Sequence, residues 1–407
     1  MHAPPGAALS LRTLRALHEL APLREAWQSL QTHPWSDFDY YVEHVARQPE
    51  FERPHVLVLE REGCVVGLVA GQIRREALPW RVGSLTLGRS RARVLWVGAG
   101  GAMGEAAGAG ARTVVAELGA ALGRGEADAA YLHQLETGSP LLMEAQGVRG
   151  LARDRGVRSS AGWVLELPET YAAYLASRTK NVRRNLKRYS QLLERELGAD
   201  FEIVCHREPA ALERLVRDSE TVARQTYHRR MQHGFEDTPA VREFFARALA
   251  AGWMRGYVLY ARGKPIAFWH GLAYHGTFFT RDTGYDPAHG ELRPGNYLLS
   301  KVIEEHCRTR ETVRFDYGVM ELEYKRQFGT RRYERASIYL FSPRLRGLVL
   351  STLRSASSLA DRAARRLLGS RARGWTRRLA GFGRKPATSE EEADPGQDMP
   401  AEKAARV

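Results

Sequence analysis

The sequence predicts an α/β protein with a mixed sheet, because hydrophobic strands alternate with amphipathic helices along most of its 407 residues. Three apolar runs, RGYVLYAR, KPIAFWHGLAY and GTFFTRDTGY, are joined at Gly263 and Gly276, which is typical of an antiparallel meander. A helix predicted at 294–308 then leads to the strand TVRFDY. A crossover helix between two strands is typical of a parallel pair, so both strand arrangements are expected in one sheet.

The first part of the chain shows a looser version of the same order. Residues 12–30 and 36–47 look helical, and PHVLVLEREGCVVGLVAGQIRRE predicts a hairpin that turns at Glu62–Gly63. RVLWVG predicts a strand, followed by a Gly/Ala-rich stretch at 98–110, a helix at 112–123 and the strand DAAYLHQLE. The glycines of VGAGGAMG are spaced G-x-G-x-x-x-G, so we do not interpret them as a dinucleotide-binding loop.

The second part opens with the strand WVLELP. An apolar period near 3.6 then predicts one long amphipathic helix over 170–198. The remaining predicted elements are listed in chain order: the strand DFEIVCH, helices at 209–231 and 239–250, the meander, the helix at 294–308, the strand TVRFDY, a short helix at 320–328 and the strand ERASIYLF. The repeated order predicts a duplicated α/β domain. The predicted boundaries are a degenerate first domain at 10–160, a second domain at 161–342, a basic amphipathic helix at 343–380 and a disordered acidic end at 381–407.

The net charge of +14 comes mainly from two short segments. Residues 343–385 hold 12 Arg or Lys and one acid, and residues 178–195 hold 7 basic residues and one acid. The charge is therefore local and does not indicate a basic, nucleic-acid-binding domain. Three widely spaced cysteines, with no HExxH or CxxC motif, predict a cytoplasmic protein with no disulfide framework and no metal. We see no signal peptide and no apolar run long enough to span a membrane.

The segment FDYGVMELEYKRQFG suggests chemistry. It places Asp316 at the end of a strand and Tyr324 and Lys325 on the helix that follows. Ligands bind at the carboxyl ends of strands in α/β folds. There Asp316 could orient an incoming amine or accept its proton, and Lys325 could stabilise an oxyanion as a fixed charge. The alternatives are a hinge, or a capping Asp and a surface Lys.

The segment GYDPAHGELRPGNYLLSKVIEE contains a helix start that could bind an anion. Pro294 suits the first helical turn, which leaves the N–H groups of Gly295, Asn296 and Tyr297 facing whatever approaches the helix. The alternative is an ordinary helix start with water on its amides.

Two further features remain open from the residues alone. The helix at 178–195 crowds cations on one side with no acid before Glu194, which favours a phosphate, a nucleotide-linked substrate, RNA or anionic lipid as partner. Its cations are Arg178, Lys180, Arg183, Arg184, Lys187 and Arg188. His270 is in register with apolar residues of its strand, which favours a core histidine, with a cleft-facing base as the alternative.

Together these stretches resemble the GNAT acyltransferase superfamily, and more narrowly its FemAB-like branch with the CelD/BcsL-type acetyltransferases. The resemblance rests on RTKNVRRNLKR, TGYDP, RPGNYLLSKVIEE and FDYGVMELEYKRQFG in this order, over about 178–329. It implies tandem GNAT-like domains over roughly residues 10–342. The family's Q/R-x-x-G-x-G/A loop corresponds to ELRPGN, which keeps Arg293 and Gly295 and departs from the pattern at Pro294.

The resemblance implies an N- or O-acyltransferase for which acyl-CoA is the co-substrate. In this interpretation Arg293 and the amides of 295–297 hold the donor, Asp316 or Asp282 acts on the acceptor, and Lys325 with Tyr324 faces the oxyanion. The residues expected at the acceptor are Arg183, Arg184, Lys187, Tyr285 and His270. The expected acceptor is a small molecule or a lipid- or nucleotide-linked sugar of polysaccharide or cell-envelope synthesis. The alternatives are a tRNA-dependent aminoacyl transferase and a non-catalytic membrane adaptor.

The basic segment 345–380 predicts an amphipathic helix with Trp375 near its end. Such a helix suits an anionic membrane surface, so the protein is expected in the cytoplasm and peripherally on the inner membrane. A chain that ends at Ser342 should then keep its fold. The alternatives are a helix that packs on the protein's own body and an RNA-binding arm.

Overall fold

A computed structural model describes residues 8–82, 85–157, 159–198, 200–226, 229 and 234–368 of the chain. These residues form two compact units. Unit 1 contains the chain up to Ser159 and again from Arg335, and unit 2 contains Ser160–Glu334. The predicted acidic end at 381–407 and the last part of the predicted basic helix, including Trp375, lie outside the described residues.

Unit 1 is built on a six-stranded sheet in the order β1-β2-β3-β4-β5-β12. The strands are β1 (Leu9–Leu14), β2 (Phe51–Arg61), β3 (Cys64–Val82), β4 (Leu85–Gly104), β5 (Ala129–Glu136) and β12 (Arg331–Phe341). The pairing is antiparallel except between β4 and β5, which the crossover helix α3 (Ala111–Arg124) makes parallel. The predicted hairpin is confirmed: Glu62 and Gly63 both have positive φ, as a two-residue turn between twisted strands requires.

The sheet of unit 1 has a buried core on both faces. One face packs against α3 and α4 (Pro140–Gly147) through a cluster that includes Leu95, Val114 and Leu132. The other face is covered by α1 (Arg24–Leu30) and α2 (Phe38–Glu43) at one end and by α11 (Leu345–Leu368) at the other.

Unit 2 repeats this arrangement, with the strand order β7-β8-β9-β10-β11-β6. The strands are β6 (Ser159–Glu166), β7 (Phe201–His206), β8 (Met254–Ala261), β9 (Lys264–Tyr274), β10 (Thr277–Tyr285) and β11 (Arg314–Val319). Here β10 and β11 are the parallel pair, and α9 (Pro294–Thr309) is the crossover between them. The predicted meander of β8, β9 and β10 is confirmed.

Helices cover both faces of the unit 2 sheet. One face packs against α5 (Tyr171–Ser177), α6 (Lys180–Leu197) and α9, around a core that includes Trp269, Phe278 and Phe315. The opposite face packs against α7 (Leu212–Ala223) and α8 (Pro239–Ala250). The short helix α10 (Glu323–Phe328) follows β11.

Three predicted helices were wrong in extent. Residues 12–14 belong to β1, because Leu9, Leu11 and Thr13 alternate along an edge strand that pairs with β2. The helix predicted over 170–198 is two helices, because Thr179 begins a new helix by accepting a hydrogen bond from the Val182 N–H. In the first part of the helix predicted at 209–231, Leu212–Ala223 is α-helical, whereas Pro209–Ala211 is a 3-10 helix and residues 224–226 form a turn.

The tail helix α11 packs on unit 1, as the alternative interpretation predicted. Leu350 is buried against Tyr339 and Phe341, the Ser351 hydroxyl donates to the Leu151 carbonyl at 2.6 Å, and Arg354 forms an ion pair with Asp154 at 2.7 Å. Removing α11 would expose this aromatic surface, so a chain that ends at Ser342 should be less stable than the sequence alone led us to expect.

Candidate active site

The candidate site of unit 2 lies where the two parallel strands β10 and β11 part, a point that we call the fork. β10 and β11 pair only from Thr277–Phe279 with 314–316. Beyond that point the pairing of β10 with β9 shifts register between Thr280 and Thr283. The pairing of β11 with β6 shifts register between Asp316 and Val319. Diverging strands leave a crevice at their carboxyl ends, which is where ligands bind in α/β folds.

Asp316 is the last residue of β11 that pairs with β10, and it is 5% exposed. Its Oδ1 accepts hydrogen bonds from the Gly318 N–H at 2.8 Å and from the Tyr333 hydroxyl at 2.6 Å. These bonds fix the orientation of the carboxylate in the crevice. Sequence analysis missed Tyr333, because it belongs to a later strand and no local motif connects it with Asp316.

Lys325 is also 5% exposed, so it is not a surface lysine. Its Nζ donates to the Val319 carbonyl at 2.9 Å and to the Gly318 carbonyl at 3.4 Å. Burial lowers the pKa of Lys325 to about 8, and the charge of Asp316 acts in the opposite direction. The structure thus brings Lys325 into the electrostatic field of Asp316, and a buried amine with such a pKa is a candidate for proton transfer near neutral pH.

Tyr324 lies on the other side of β11 from Asp316. Its ring packs edge-on against Trp269 at 5.4 Å and Tyr317 at 6.2 Å, in the core shared with α9. Burial raises the pKa of Tyr324, so its phenol stays protonated at neutral pH. The expectation that Tyr324 and Lys325 face one group is corrected here, because neighbouring helix positions point in different directions.

The start of α9 forms a small cleft lined by Tyr285, Arg293, Pro294, Gly295 and Asn296. Pro294 has no N–H, and the N–H groups of Gly295 and Asn296 precede the first intrahelical bond. That bond runs from the Tyr297 N–H to the Arg293 carbonyl at 3.1 Å. Two amides and a guanidinium therefore converge at this cleft, an arrangement that suits an anion.

Arg293 has a left-handed backbone with φ of 53°. A residue with a Cβ rarely adopts this conformation, and such strain is concentrated at functional sites. Tyr297 is a correction to the predicted donor site, because its N–H is bonded and its buried ring packs against Phe201 at 5.9 Å.

Asp282 lies in the irregular part of β10 and forms an ion pair with Arg281 at 3.1 Å. The Arg281 guanidinium also lies over the Phe244 ring at 4.3 Å, on the side covered by α8. Asp286, which sequence analysis missed, shapes the loop before α9 by accepting hydrogen bonds from the Ala288 N–H and from His289. Asp316 is thus the acid held at the fork by Gly318 and Tyr333, and Asp282 lies beside Arg281.

Of the six cations predicted for the helix at 178–195, five lie on α6 and form an exposed row, which we call the α6 row. Its members are Lys180, Arg183, Arg184, Lys187 and Arg188. Within the described part of the chain, none of them has an ion pair. Arg178 differs, because it donates to the Gly329 carbonyl at 2.6 Å and the Phe328 carbonyl at 3.4 Å, at the end of α10. Arg178 is thus a structural residue that fixes the helix carrying Lys325.

His270 is fully buried on the face of β9 that packs against α7 and α8. Its Nε2 is 2.8 Å from the Ser219 hydroxyl oxygen, and its ring contacts Phe245 and Phe268. Burial lowers the pKa of His270, which keeps the ring neutral. The core interpretation fits this geometry, and the expectation of a substrate-binding His270 is corrected.

Among the described residues, no group of three His, Cys, Asp or Glu side chains is placed to hold a metal ion. Of the helices that the structure describes, none is both long and apolar enough to cross a bilayer.

Residues 180–326 match the family described as "Acetyltransferase (GNAT) domain". Among solved structures, FemX is similar with a TM-score of 0.57 and 8% identity, covering 82% of this chain and 97% of FemX. A tandem GNAT protein from the clavulanic acid biosynthesis pathway has a TM-score of 0.43 and 11% identity, with coverage of 83% and 99%. L-PGS from Bacillus licheniformis has a TM-score of 0.42 and 14% identity, with coverage of 70% and 85%. No curated protein sequence matches this chain.

Proposed function

Because residues 180–326 form a GNAT acyltransferase domain in a chain with the FemX fold, we propose that this protein transfers an acyl group from acyl-CoA to an amine or hydroxyl. The proposed acceptor is a phosphate-bearing sugar or another precursor of polysaccharide or cell-envelope synthesis. The observation that carries the proposal is the cleft at the start of α9, next to the fork that holds Asp316.

The donor site is proposed at this cleft. The Arg293 guanidinium and the amides of Gly295 and Asn296 would bind the pyrophosphate of CoA, since a helix start with a nearby cation favours phosphate. The thioester would then extend towards the fork between β10 and β11. Holding donor and acceptor in one complex supplies much of the acceleration, because the reacting atoms are kept at near-attack distance.

The proposed reaction is direct attack of the acceptor on the thioester carbonyl. Asp316 orients the acceptor and takes its proton, and the charge of Lys325 stabilises the tetrahedral oxyanion. The C–S bond then breaks and CoA leaves as a thiolate. Lys325 can protonate this thiolate, because its pKa of about 8 is close to the usual pKa of a thiol, about 8.5.

The α6 row supports an acceptor or donor that carries phosphate. Cations near a helix N-terminus oppose the helix dipole, so Lys180, Arg183 and Arg184 are placed where they cost stability. An anionic partner would relieve this repulsion. The same row also favours aminoacyl-tRNA as an alternative donor. A tRNA-dependent aminoacyl transferase is therefore the second candidate function.

Calorimetry of CoA binding to the full chain tests the donor site. Arg293→Ala and Gly295→Glu should each weaken CoA binding about tenfold or more, because they remove a charged contact or add a repelling carboxylate. Lys264→Ala, at an exposed turn of the same unit, should leave the affinity unchanged. Unchanged binding in both cleft variants would remove the cleft from the proposal, and binding of aminoacyl-tRNA in place of CoA would favour the alternative donor.

We also propose a peripheral contact with the inner membrane through the segment 345–380. The support is that α11 exposes Leu345 by 78%, Val349 by 48% and Leu359 by 58% although the helix packs on unit 1. Exposed apolar residues beside arginines suit an anionic surface. A chain that ends at Leu368 keeps the packed helix, so it should fold and lose part of its salt-sensitive sedimentation with anionic liposomes. Equal sedimentation of the shortened and full chains, or none of either, would contradict this contact.

A further inference from the structure

Within the described part of the chain, four side chains at the fork of unit 2 each have a buried polar atom without a hydrogen-bond partner. They are the indole N–H groups of Trp163 and Trp269 and the hydroxyls of Thr280 and Tyr317. Tyr317 is 2% exposed and Trp269 is 3% exposed. A buried polar group without a partner is costly, so several in one place call for an explanation.

The strand register places all four on one face of the sheet. Phe278 and Phe315 are paired neighbours in the core shared with α9, with their rings 4.7 Å apart. Successive same-face positions are two residues apart, so Thr280 and Tyr317 are the next residues on that face, where the strands have begun to part. Trp269 lies in the same core, opposite Thr283 on β10.

Trp163 belongs to the same face of the neighbouring strand. β6 pairs with β11 at Val164↔Asp316 and Gly162↔Val319, so Trp163 lies beside Tyr317. Its ring is close to Gly329, where a Cβ would come within 3.0 Å of the Trp163 Cε3. We call these four residues the fork donors.

The Tyr324 ring contacts two of the fork donors, Trp269 and Tyr317. Neither the Trp269 N–H nor the Tyr317 hydroxyl has a hydrogen-bond partner, so Tyr324 covers them without satisfying them. The backbone has positive φ at Gly318, near the end of β11, and at Met320, just after it, where φ is 93°. A non-glycine residue with this φ is strained, which is typical of a segment that changes conformation.

We propose that the fork donors bind the acyl group of the donor, and that this acyl group carries a hydroxyl oxygen beyond its thioester carbonyl. An indole N–H can only donate, so its ligand must present an acceptor. All four groups are neutral, which favours a neutral oxygen over a carboxylate that would be buried without a cation. The substrate class is therefore a short hydroxyacyl thioester. This inference rests on the proposed use of acyl-CoA.

The direct test compares 3-hydroxybutyryl-CoA with butyryl-CoA, which differ by one hydroxyl, in calorimetric binding to the full chain. The hydroxyacyl thioester should bind about tenfold more tightly, as expected for one or two hydrogen bonds made by donors that are otherwise unpaired. Free CoA serves as the third ligand, because it keeps the pantetheine arm and lacks the acyl group.

Tyr317→Phe should reduce the preference to within about twofold and leave the affinity for free CoA unchanged. It should also raise the melting temperature, because it removes an unpaired buried hydroxyl. Trp269→Phe should reduce the preference in the same way. Tyr260→Phe is the matched control, since its hydroxyl is bonded to Asp218 at 2.6 Å and its loss should not change the preference.

Equal binding of the two thioesters to the unmodified protein would overturn this inference and leave the proposed donor intact. Tyr317→Phe weakening free CoA as much as 3-hydroxybutyryl-CoA would also overturn it, since the donors would then serve the pantetheine arm. If free CoA and both thioesters fail to bind, the proposed CoA donor fails and the inference fails with it.

Discussion

Unit 1 and unit 2 contain the same fork with different chemistry. In unit 1, β4 and β5 pair from Val94–Val97 with Ala129–Leu132 and then part, as β10 and β11 do in unit 2. The residue that follows the core-facing Leu132 is His133, and the residue that follows the core-facing Phe315 is Asp316. The two forks thus carry a histidine and an acid at corresponding positions.

The groups around these two residues differ. His133 Nδ1 lies 3.1 Å from the Tyr131 hydroxyl and 3.2 Å from the Ser337 hydroxyl, and its ring is 5.5 Å from Trp96. The helix after β5 in unit 1, α4, has the sequence PLLMEAQG and contains no lysine. In unit 2 the corresponding helix supplies the buried Lys325.

The crossover helices also begin differently. Before α9 the chain presents Arg293, whereas before α3 it presents Glu105, which forms a double ion pair with Arg61 at 2.6 and 2.8 Å. The N-cap residue itself is Gly110 in α3 and Arg293 in α9, so of these two helices only α9 has a guanidinium at its start that would attract a phosphate. The two units thus share the fork, while the groups suited to anion binding and proton transfer are collected in unit 2.

The largest expected effect is on turnover. Lys325→Met should fold and lose about 10²–10³ in kcat, the usual cost of removing one electrostatic donor to an oxyanion. His133→Asn, the corresponding change in unit 1, should alter kcat less than about threefold. Steady-state kinetics with circular dichroism as a folding check would measure both. Full activity of Lys325→Met, or an equal loss in the two variants, would remove the distinction between the forks.

The pH dependence of stability tests whether the charge of Lys325 is buried. The pKa of Lys325 is lower in the folded protein than its usual 10.4, so the unfolded chain binds more protons between about pH 8 and 10. The free energy of unfolding should therefore rise through this range by about 2–3 kcal/mol relative to Lys325→Met. Urea unfolding of both proteins at several pH values would measure the difference. Lys264→Met, at an exposed lysine, should show no such trend relative to the unmodified chain, and a flat difference for Lys325→Met would contradict burial of its charge.

A smaller effect is expected from adding a side chain next to Tyr333, which holds Asp316 in unit 2. A Cβ at Gly162 would lie 2.4 Å from the Tyr333 Cζ, so Gly162→Ala should displace the hydroxyl that holds Asp316. Overpacking of this kind costs about 1–3 kcal/mol and should reduce kcat about tenfold. Gly147→Ala in α4 is the control, since a Cβ there meets no atom within 4 Å. Equal kinetics of the two variants would show that Tyr333 does not position Asp316.

The smallest expected effect separates two arginines that look alike in sequence. Arg178→Ala should lower the free energy of unfolding by about 1–2 kcal/mol, because it removes hydrogen bonds to carbonyls at the end of α10. Arg184→Ala in the exposed α6 row should change it by less than about 0.5 kcal/mol. Urea denaturation would measure both, and equal losses would mean that Arg178 does not anchor α10.

Local signals predicted much of this fold. The hairpin at Glu62–Gly63, the meander turns and the Pro-started α9 were readable because a turn or a cap is encoded in a few adjacent residues. The resemblance to GNAT acyltransferases was also predicted from four motifs in order; residues 180–326 match a GNAT acetyltransferase domain, and the fold is similar to that of FemX. β1 was missed because its partner is some 50 residues away in sequence, at Leu9↔Arg61, and no local pattern reports that pairing.

The sequence predicted less of the candidate site than of the fold. The cleft residues at Arg293–Asn296 follow from a local helix-start pattern, and the structure collects them as predicted. The separation of Tyr324 from Lys325 and the bond from Tyr333 to Asp316 depend on how a short helix and a later strand pack. Buried unpartnered groups such as the Tyr317 hydroxyl have no sequence signature, because burial is set by distant neighbours.

The last strand of the unit 1 sheet, β12, has a consequence for synthesis on the ribosome. Unit 1 is completed by residues 335–341 of β12, whose partners in β5 are made some 200 residues earlier. The nascent first unit must therefore wait, with an open strand edge, until all of unit 2 has been translated. A stop codon placed at residue 160 would not release a finished domain. It would release one with an unpaired edge at β5, which is prone to aggregation.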